Sequence, residues 1–184
     1  LLRLQGAGAI IATAGSDASE QFLIETLGVD RKHVVRYLER SVEDLVADIR
    51  DLTNGRGVAA AFDFAGGDMK EVCFRSIGFD GQIVSVVEEG PDFELDIWGV
   101  GGPMFDKSAS YHLVSLSARS RNGAPQDWAI YRQWINDWLS LVSSGKISIA
   151  PVTTLGALTV SAPTVSWLCE LLGVGLGSRA QSIN

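Results

Sequence analysis

Short apolar runs alternate with amphipathic ones along residues 9–87. Ala9-Ile10-Ile11-Ala12-Thr13-Ala14 is bounded by glycines, and Ile10–Ala14 reads as a strand buried on both faces. Asp17-Ala18-Ser19-Glu20 places acceptors at the N-cap and N3 positions of a helix. That helix turns Phe22, Leu23 and Leu27 inward and stops at Gly28. His33–Tyr37 is a second short strand. Ser41 then caps a helix with Glu43 and Asp44 in its first turn, where the dipole favours acids. Val42, Leu45, Val46, Ile49 and Leu52 form its inward stripe, and Asn54-Gly55 ends it. Val58–Phe64 predicts a third strand, interrupted only by Asp63. A helix over Asp68–Ile77, a turn at Asp80-Gly81 and a strand over Gln82–Val87 follow. This β-α alternation predicts an α/β fold with a doubly wound parallel sheet and right-handed crossovers.

The pattern changes after Glu88. Residues 88–107 are rich in Gly, Pro and Asp and read as a long loop, which in a compact domain means a functional loop or a missed element. Ala109–Ala118 has strand character. Pro125 suits the first turn of a long helix that Gly145 closes. Its stripe of Trp128, Tyr131, Trp134, Ile135, Trp138, Leu139 and Val142 predicts a core-facing surface. A short strand over Lys146–Ile149 and a helix over 161–172 are expected before the tail. At the other end, Leu1–Gln5 reads as a last helical turn, stopped by Gly6 or Gly8. No strand with a glycine-rich turn precedes Ile10–Ala14, so the sheet is expected to be truncated at its first strand. Three glycine runs do not supply that turn. Gly6-Ala7-Gly8 precedes a strand, Gly99–Gly102 sits in the long loop, and Gly173, Gly175 and Gly177 follow a helix. A pyrophosphate-binding turn must instead follow a strand and open a helix.

The 184 residues carry a net charge of −7, which argues against a nucleic-acid surface. Hydrophobic content of 46% and charged content of 20% fit a soluble globular domain, with no signal peptide and no membrane-spanning run. Cys73 and Cys169 match no zinc spacing and read as reduced thiols, so a cytoplasmic location and no metal are expected. His33 and His112 each lack an obvious partner, and no catalytic constellation stands out.

The stretches AIIATAGS (9–16), LGVDRKHVVRY (27–37), LTNGRGVAAAFDFAGG (52–67) and GFDGQIVSVV (78–87), in this order, resemble the medium-chain dehydrogenases/reductases. The quinone oxidoreductase and enoyl reductase branch is the most similar, with weaker support from LVSSGKI (141–147). The resemblance implies a Rossmann-like NADP(H)-binding domain over residues 1–160, followed by a divergent tail over 161–184. It implies an NADPH-dependent oxidoreductase of the quinone/enone reductase or alcohol dehydrogenase-like type, acting on a small-molecule carbonyl, conjugated carbonyl or quinone substrate. Two other readings stay open: a catalytically incompetent dimerisation or binding module, and another doubly wound class such as a methyltransferase.

Residue by residue, the resemblance places Gly15, Ser16 and Tyr37 beside the adenosine end of the cofactor. No acid follows the strand at Ala14 to accept from a ribose 2′-hydroxyl, which favours NADP(H) over NAD. Arg36 and Arg40 are candidates for the cation that would meet a 2′-phosphate. Phe64, Ala65 and Gly66 match the turn beside the nicotinamide ribose, and Val86 and Val87 match the positions behind the nicotinamide ring. Asp63 is expected to be structural, bonding loop amides. In the family, the strand matching Ala109–Ala118 pairs across a two-fold axis, which implies a homodimer. An open edge of that kind is a hazard unless paired.

Overall fold

Two helices of the parallel crossovers begin where a serine side chain takes up a free amide. Ser41 accepts a hydrogen bond from the Asp44 amide at 3.1 Å and opens α2 (Val42–Leu52), whose inward face buries Leu45, Val46 and Ile49. Ser16 opens α1 (Asp17–Gln21) in the same way. Its Oγ accepts from the Ser19 amide, and the Ser16 amide donates to Ser19 Oγ. The cap is therefore Ser16, one residue before the expected Asp17, because the extended backbone at Ser16 lets the reciprocal serine pair close. The α1 helix continues as a wider π-type turn over Phe22–Thr26, and Gly28, at φ 63°, ends it.

The computed structural model describes residues 1–99 and 102–147, all within one compact unit, Leu1–Ser148. The expected helix over 161–172, the tail and half of the expected Lys146–Ile149 strand lie outside them. The strands are β1 (Ala12–Ala14), β2 (Val34–Arg36), β3 (Val58–Asp63), β4 (Ile77–Ser85) and β5 (Ser110–Leu113). The remaining helices are α3 (Asp68–Ser76), α4 (Pro103–Asp106), α5 (Ala118–Asn122) and α6 (Ala129–Ser143). The fold is α/β with parallel pairing throughout. The strands form two ladders, β1 with β2 and β3-β4-β5 in that order.

Two core clusters hold these pieces together. Val35 of β2, Leu45, Val46 and Ile49 of α2, and Val72 of α3 form one, with Val58 of β3 packed against it. This cluster ties the two ladders through α2 and α3. The other gathers Ala61, Phe74, Ile77, Ile83, Ile97 and Met104. The Phe74 ring meets Tyr111 of β5 edge to face at 4.9 Å. Helix α3 thus faces two cores at once.

Several expectations are corrected by the packing. The first strand is shorter than Ile10–Ala14 and is buried only at Ala14. Strand β3 is apolar on both faces, yet Ala59, Ala60 and Phe62 are exposed. Asp80-Gly81 does not precede β4 but lies inside it, where the register against β3 shifts between Val58 and Ala60. The 88–107 loop contains α4 and contributes Ile97 and Met104 to the core, so it holds a missed element. Of the expected Ala109–Ala118 strand only Ser110–Leu113 pairs, and α5 begins at Ala118. The tryptophan stripe of α6 is not core among the described residues. Trp128, Trp134 and Trp138 all keep 45% or more of their surface exposed.

Candidate functional site

The carboxyl end of β3 is organised around a buried acid. Asp63 Oδ1 accepts from the amides of Ala65 at 3.1 Å and Gly66 at 2.7 Å. Its Oδ2 accepts from Ser85 Oγ at 2.6 Å, at the end of β4. Asp63 therefore shapes the Phe64–Gly66 turn and joins it to the neighbouring strand, the structural role expected of it. Gly66 has φ 75°, and a Cβ there would fall 2.7 Å from Val87 Cγ1. Only glycine lets the turn lie this close.

Phe64 leaves the strand and is exposed, with its ring stacked on Phe62 at 6.4 Å between centroids. Val86 and Val87 stand just past the end of β4 rather than within it, because the regular pairing stops at Ser85. The Val86 amide still donates to the Asp63 carbonyl at 3.1 Å. Phe64, Ala65, Gly66, Val86 and Val87 are thus brought together at one end of the three-stranded ladder. Open parallel sheets bind ligands at the carboxyl ends of their strands.

A residue not foreseen from the sequence completes this end. Lys70 of α3 is buried, with Nζ 2.7 Å from Glu89 Oε1 and 3.8 Å from Asp63 Oδ2. It donates to the Val87 carbonyl at 3.1 Å. Glu89 in turn accepts from the Gly67 amide at 3.0 Å, and the hydrogen bond from Lys70 holds its carboxyl below the usual range. The available signal was Lys70 four residues before Phe74, on the same helix face, with acids directly after the next strand.

The second cluster lies at the ends of β1 and β2. The Tyr37 amide donates to the Ala14 carbonyl at 3.1 Å. The tyrosine ring crosses Gly15 so closely that a Cβ there would sit 2.5 Å from Tyr37 Oη. Ser16 is exposed at the head of α1. Gly15, Ser16 and Tyr37 therefore do converge. The two candidate cations are already engaged. Arg36 pairs with Asp17 at 2.5 Å and Glu20 at 3.1 Å, and Arg40 pairs with Asp48 at 2.6 Å. The hydrogen bonds it donates to Asp17 and Glu20 raise the Arg36 guanidinium above its ordinary range. As the structure stands, neither arginine is a free phosphate ligand.

No nucleophile or proton-transfer pair is assembled among the described residues. Burial pushes the Cys73 thiol up to about 12, aided by the Asp63 charge, so it stays protonated at neutral pH. His33 ends the short turn before β2, and His112 is exposed on β5. No three His, Cys, Asp or Glu side chains among the described residues group as a metal site requires. No helix among them is long and apolar enough to cross a membrane.

The zinc-binding dehydrogenase family profile matches residues 1–97. That is more than half of the 184-residue chain. The chain belongs to the zinc-binding dehydrogenase family. It matches that family's cofactor-binding domain, in agreement with the medium-chain dehydrogenase/reductase resemblance. A curated relative is a highly reducing polyketide synthase from Aspergillus ruber, 28% identical over 158 residues. The match takes in 83% of this chain but only 6% of that relative's length. Among solved structures, a putative enoyl reductase domain of a polyketide synthase superposes with a TM-score of 0.58 at 29% identity. It spans 79% of this chain and 73% of that one. The nucleotide-binding subdomain of the enoylreductase domain of PpsC from Mycobacterium tuberculosis gives 0.59 at 28% identity, over 80% and 76% of the two chains.

Proposed function

We propose that this family member is the NADP(H)-binding domain of an oxidoreductase that reduces a conjugated carbonyl compound. The observation that carries the reading is the pair of clusters at strand carboxyl ends, one around Tyr37 and one around Gly66. Likeness to enoyl reductase domains favours an enoyl substrate over a quinone. When bound, NADPH would supply a hydride to the electron-poor carbon of the substrate, and the balancing proton would come from solvent or an acid. The chain's own part is to hold the two halves of the cofactor. Tyr37 offers a ring and Ser16 a hydroxyl on the adenosine side. Phe64, Ala65 and Gly66 would flank the nicotinamide ribose, and Val86 and Val87 would back the ring. The preference for NADP(H) rests on the residues after β1. Ala14, Gly15 and Ser16 carry no charge, and the nearest acid, Asp17, is turned to Arg36.

Titration of the full chain with NADPH and NADH, followed by nicotinamide fluorescence, tests this. NADPH is expected to bind at least about tenfold more tightly, a difference of about 1.4 kcal/mol. Tighter binding of NADH would overturn the 2′-phosphate argument. Millimolar or absent binding of both would favour the alternative, a binding module without catalysis.

The same reading includes a homodimer through β5. Beyond its ladder with β4, this strand presents Leu113 at 71% exposure, followed by Leu116 at 74%. Exposed apolar groups on a strand edge favour pairing with a like edge. Sedimentation at micromolar concentration is expected to give a dimer that Leu113→Lys dissociates. A monomer for the unmodified chain would refute it.

A further inference from the structure

Lysine is almost never fully buried unless its charge is met. Lys70 is 4% exposed and is met from three directions. Glu89 and the Val87 carbonyl come from the segment after β4, and Asp63 comes from the end of β3. The Phe93 ring lies 5.5 Å away as a fourth, weaker partner. Each acid also binds the turn that follows β3, Asp63 through the amides of Ala65 and Gly66, Glu89 through that of Gly67. One ammonium therefore stands where two segments meet that are otherwise joined by few direct bonds.

We infer that Lys70 is a positioning residue, fastening the Phe64–Gly67 turn to Val87–Glu89 so that both form one fixed wall of the nicotinamide side. The inference rests on the cofactor reading above for what the wall meets, but not for the clamp itself. A buried ion network returns little net stability, since desolvation offsets most of the attraction. Replacing the whole network by apolar groups would cost little, whereas removing the lysine alone leaves two acids without their cation. What the charges add is direction, because each carboxylate accepts from amides of the turn and also faces the ammonium. Lys70 also balances charge. Without it Asp63 and Glu89 would be two negative charges near a phosphate-bearing cofactor with no cation opposing them.

The test uses the full chain with Lys70→Met and Lys70→Arg. Amide hydrogen exchange without cofactor reads the clamp directly. In Lys70→Met, exchange at Ala65–Gly67 and Val87–Glu89 is expected to rise at least about tenfold, while amides of β2 and α2 hold their rates. Affinities for NADPH and for adenosine 2′,5′-bisphosphate, which lacks the nicotinamide half, read its consequence. NADPH binding should weaken about tenfold with the bisphosphate unchanged, since a misplaced wall costs orientation on one side only. Lys70→Arg should recover part of both. A lower melting temperature with unchanged exchange at the turn would overturn the clamp. Equal weakening of both ligands would overturn the assignment to the nicotinamide side. If the unmodified chain binds neither ligand, the cofactor reading falls, and exchange alone decides the clamp.

Discussion

Asp63→Ala is expected to lower the stability of the chain by about 3–5 kcal/mol, the loss typical of breaking a buried charged network from one side. The carboxylate is the acceptor for the Gly66 and Ala65 amides and for the Ser85 hydroxyl. Alanine leaves the two amides without a partner and the Ser85 hydroxyl with only a long bond to the Val87 carbonyl at 3.5 Å, and an unmet buried donor costs about 1–3 kcal/mol. It also leaves Lys70 with Glu89 as its only carboxylate. Asp63→Asn keeps one oxygen for the two amides and turns an NH2 toward Ser85, whose hydroxyl can accept. Its loss should be smaller, about 1–3 kcal/mol. Urea unfolding with an unchanged m-value would measure both. Domains of this size have only about 5–15 kcal/mol in total, so Asp63→Ala should be partly unfolded on mild heating. A loss under about 1 kcal/mol would mean that water or a backbone shift satisfies these donors.

Ser16→Asp is expected to weaken NADPH binding by about 10–100-fold and to leave NADH nearly unaffected, because a carboxylate would oppose the 2′-phosphate. The substitution is chosen to leave local structure intact. Ser16 works as the N-cap of α1, and aspartate caps as well as serine does. Its carboxylate can still accept from the Ser19 amide, and the helix dipole favours the added charge. A change in cofactor preference would then report electrostatics and not a damaged helix. Ser16→Ala separates the two effects. It loses the cap, at about 1 kcal/mol, without adding charge. Equal weakening of NADPH and NADH by Ser16→Asp would remove Ser16 from the phosphate side. An unchanged melting temperature is the control that the cap survives.

Legibility from the sequence differed by kind of feature. The stripe of α2 and its Ser41 cap were readable because both are local: one period, one side chain and amides three residues away. The Asp63 role was readable for a similar reason, since an acid ending an apolar strand before Gly66-Gly67 has amides within reach. The α1 cap was displaced by one residue, because two adjacent polar residues both fit the pattern and backbone geometry chose between them. Lys70 was missed. A single lysine in a helix reads as solvated, and its partners at Asp63 and Glu89 lie seven and nineteen positions away.

The candidate cofactor residues divide along the same line. The pairing of Gly15 with Tyr37 follows from two strands in parallel register, so strand order alone implied it. The commitment of Arg36 to Asp17 and Glu20 depends on how α1 sits over β2, and no spacing rule contains that.

What the sequence by itself determined is the order of elements over residues 9–87, their parallel pairing and the family. Each depends on short-range alternation of apolar and polar positions, and on turns that glycine and proline punctuate. Only the tertiary structure decided which apolar faces are covered. Strand β3, apolar but for Asp63, and the tryptophan stripe of α6 both read as core from their pattern, yet among the described residues Phe62 and Trp134 are exposed. Periodicity shows which side of an element is apolar. Burial depends on whether another element packs there, and that is a property of the assembled chain, as is the meeting of Asp63, Lys70 and Glu89 at the strand ends.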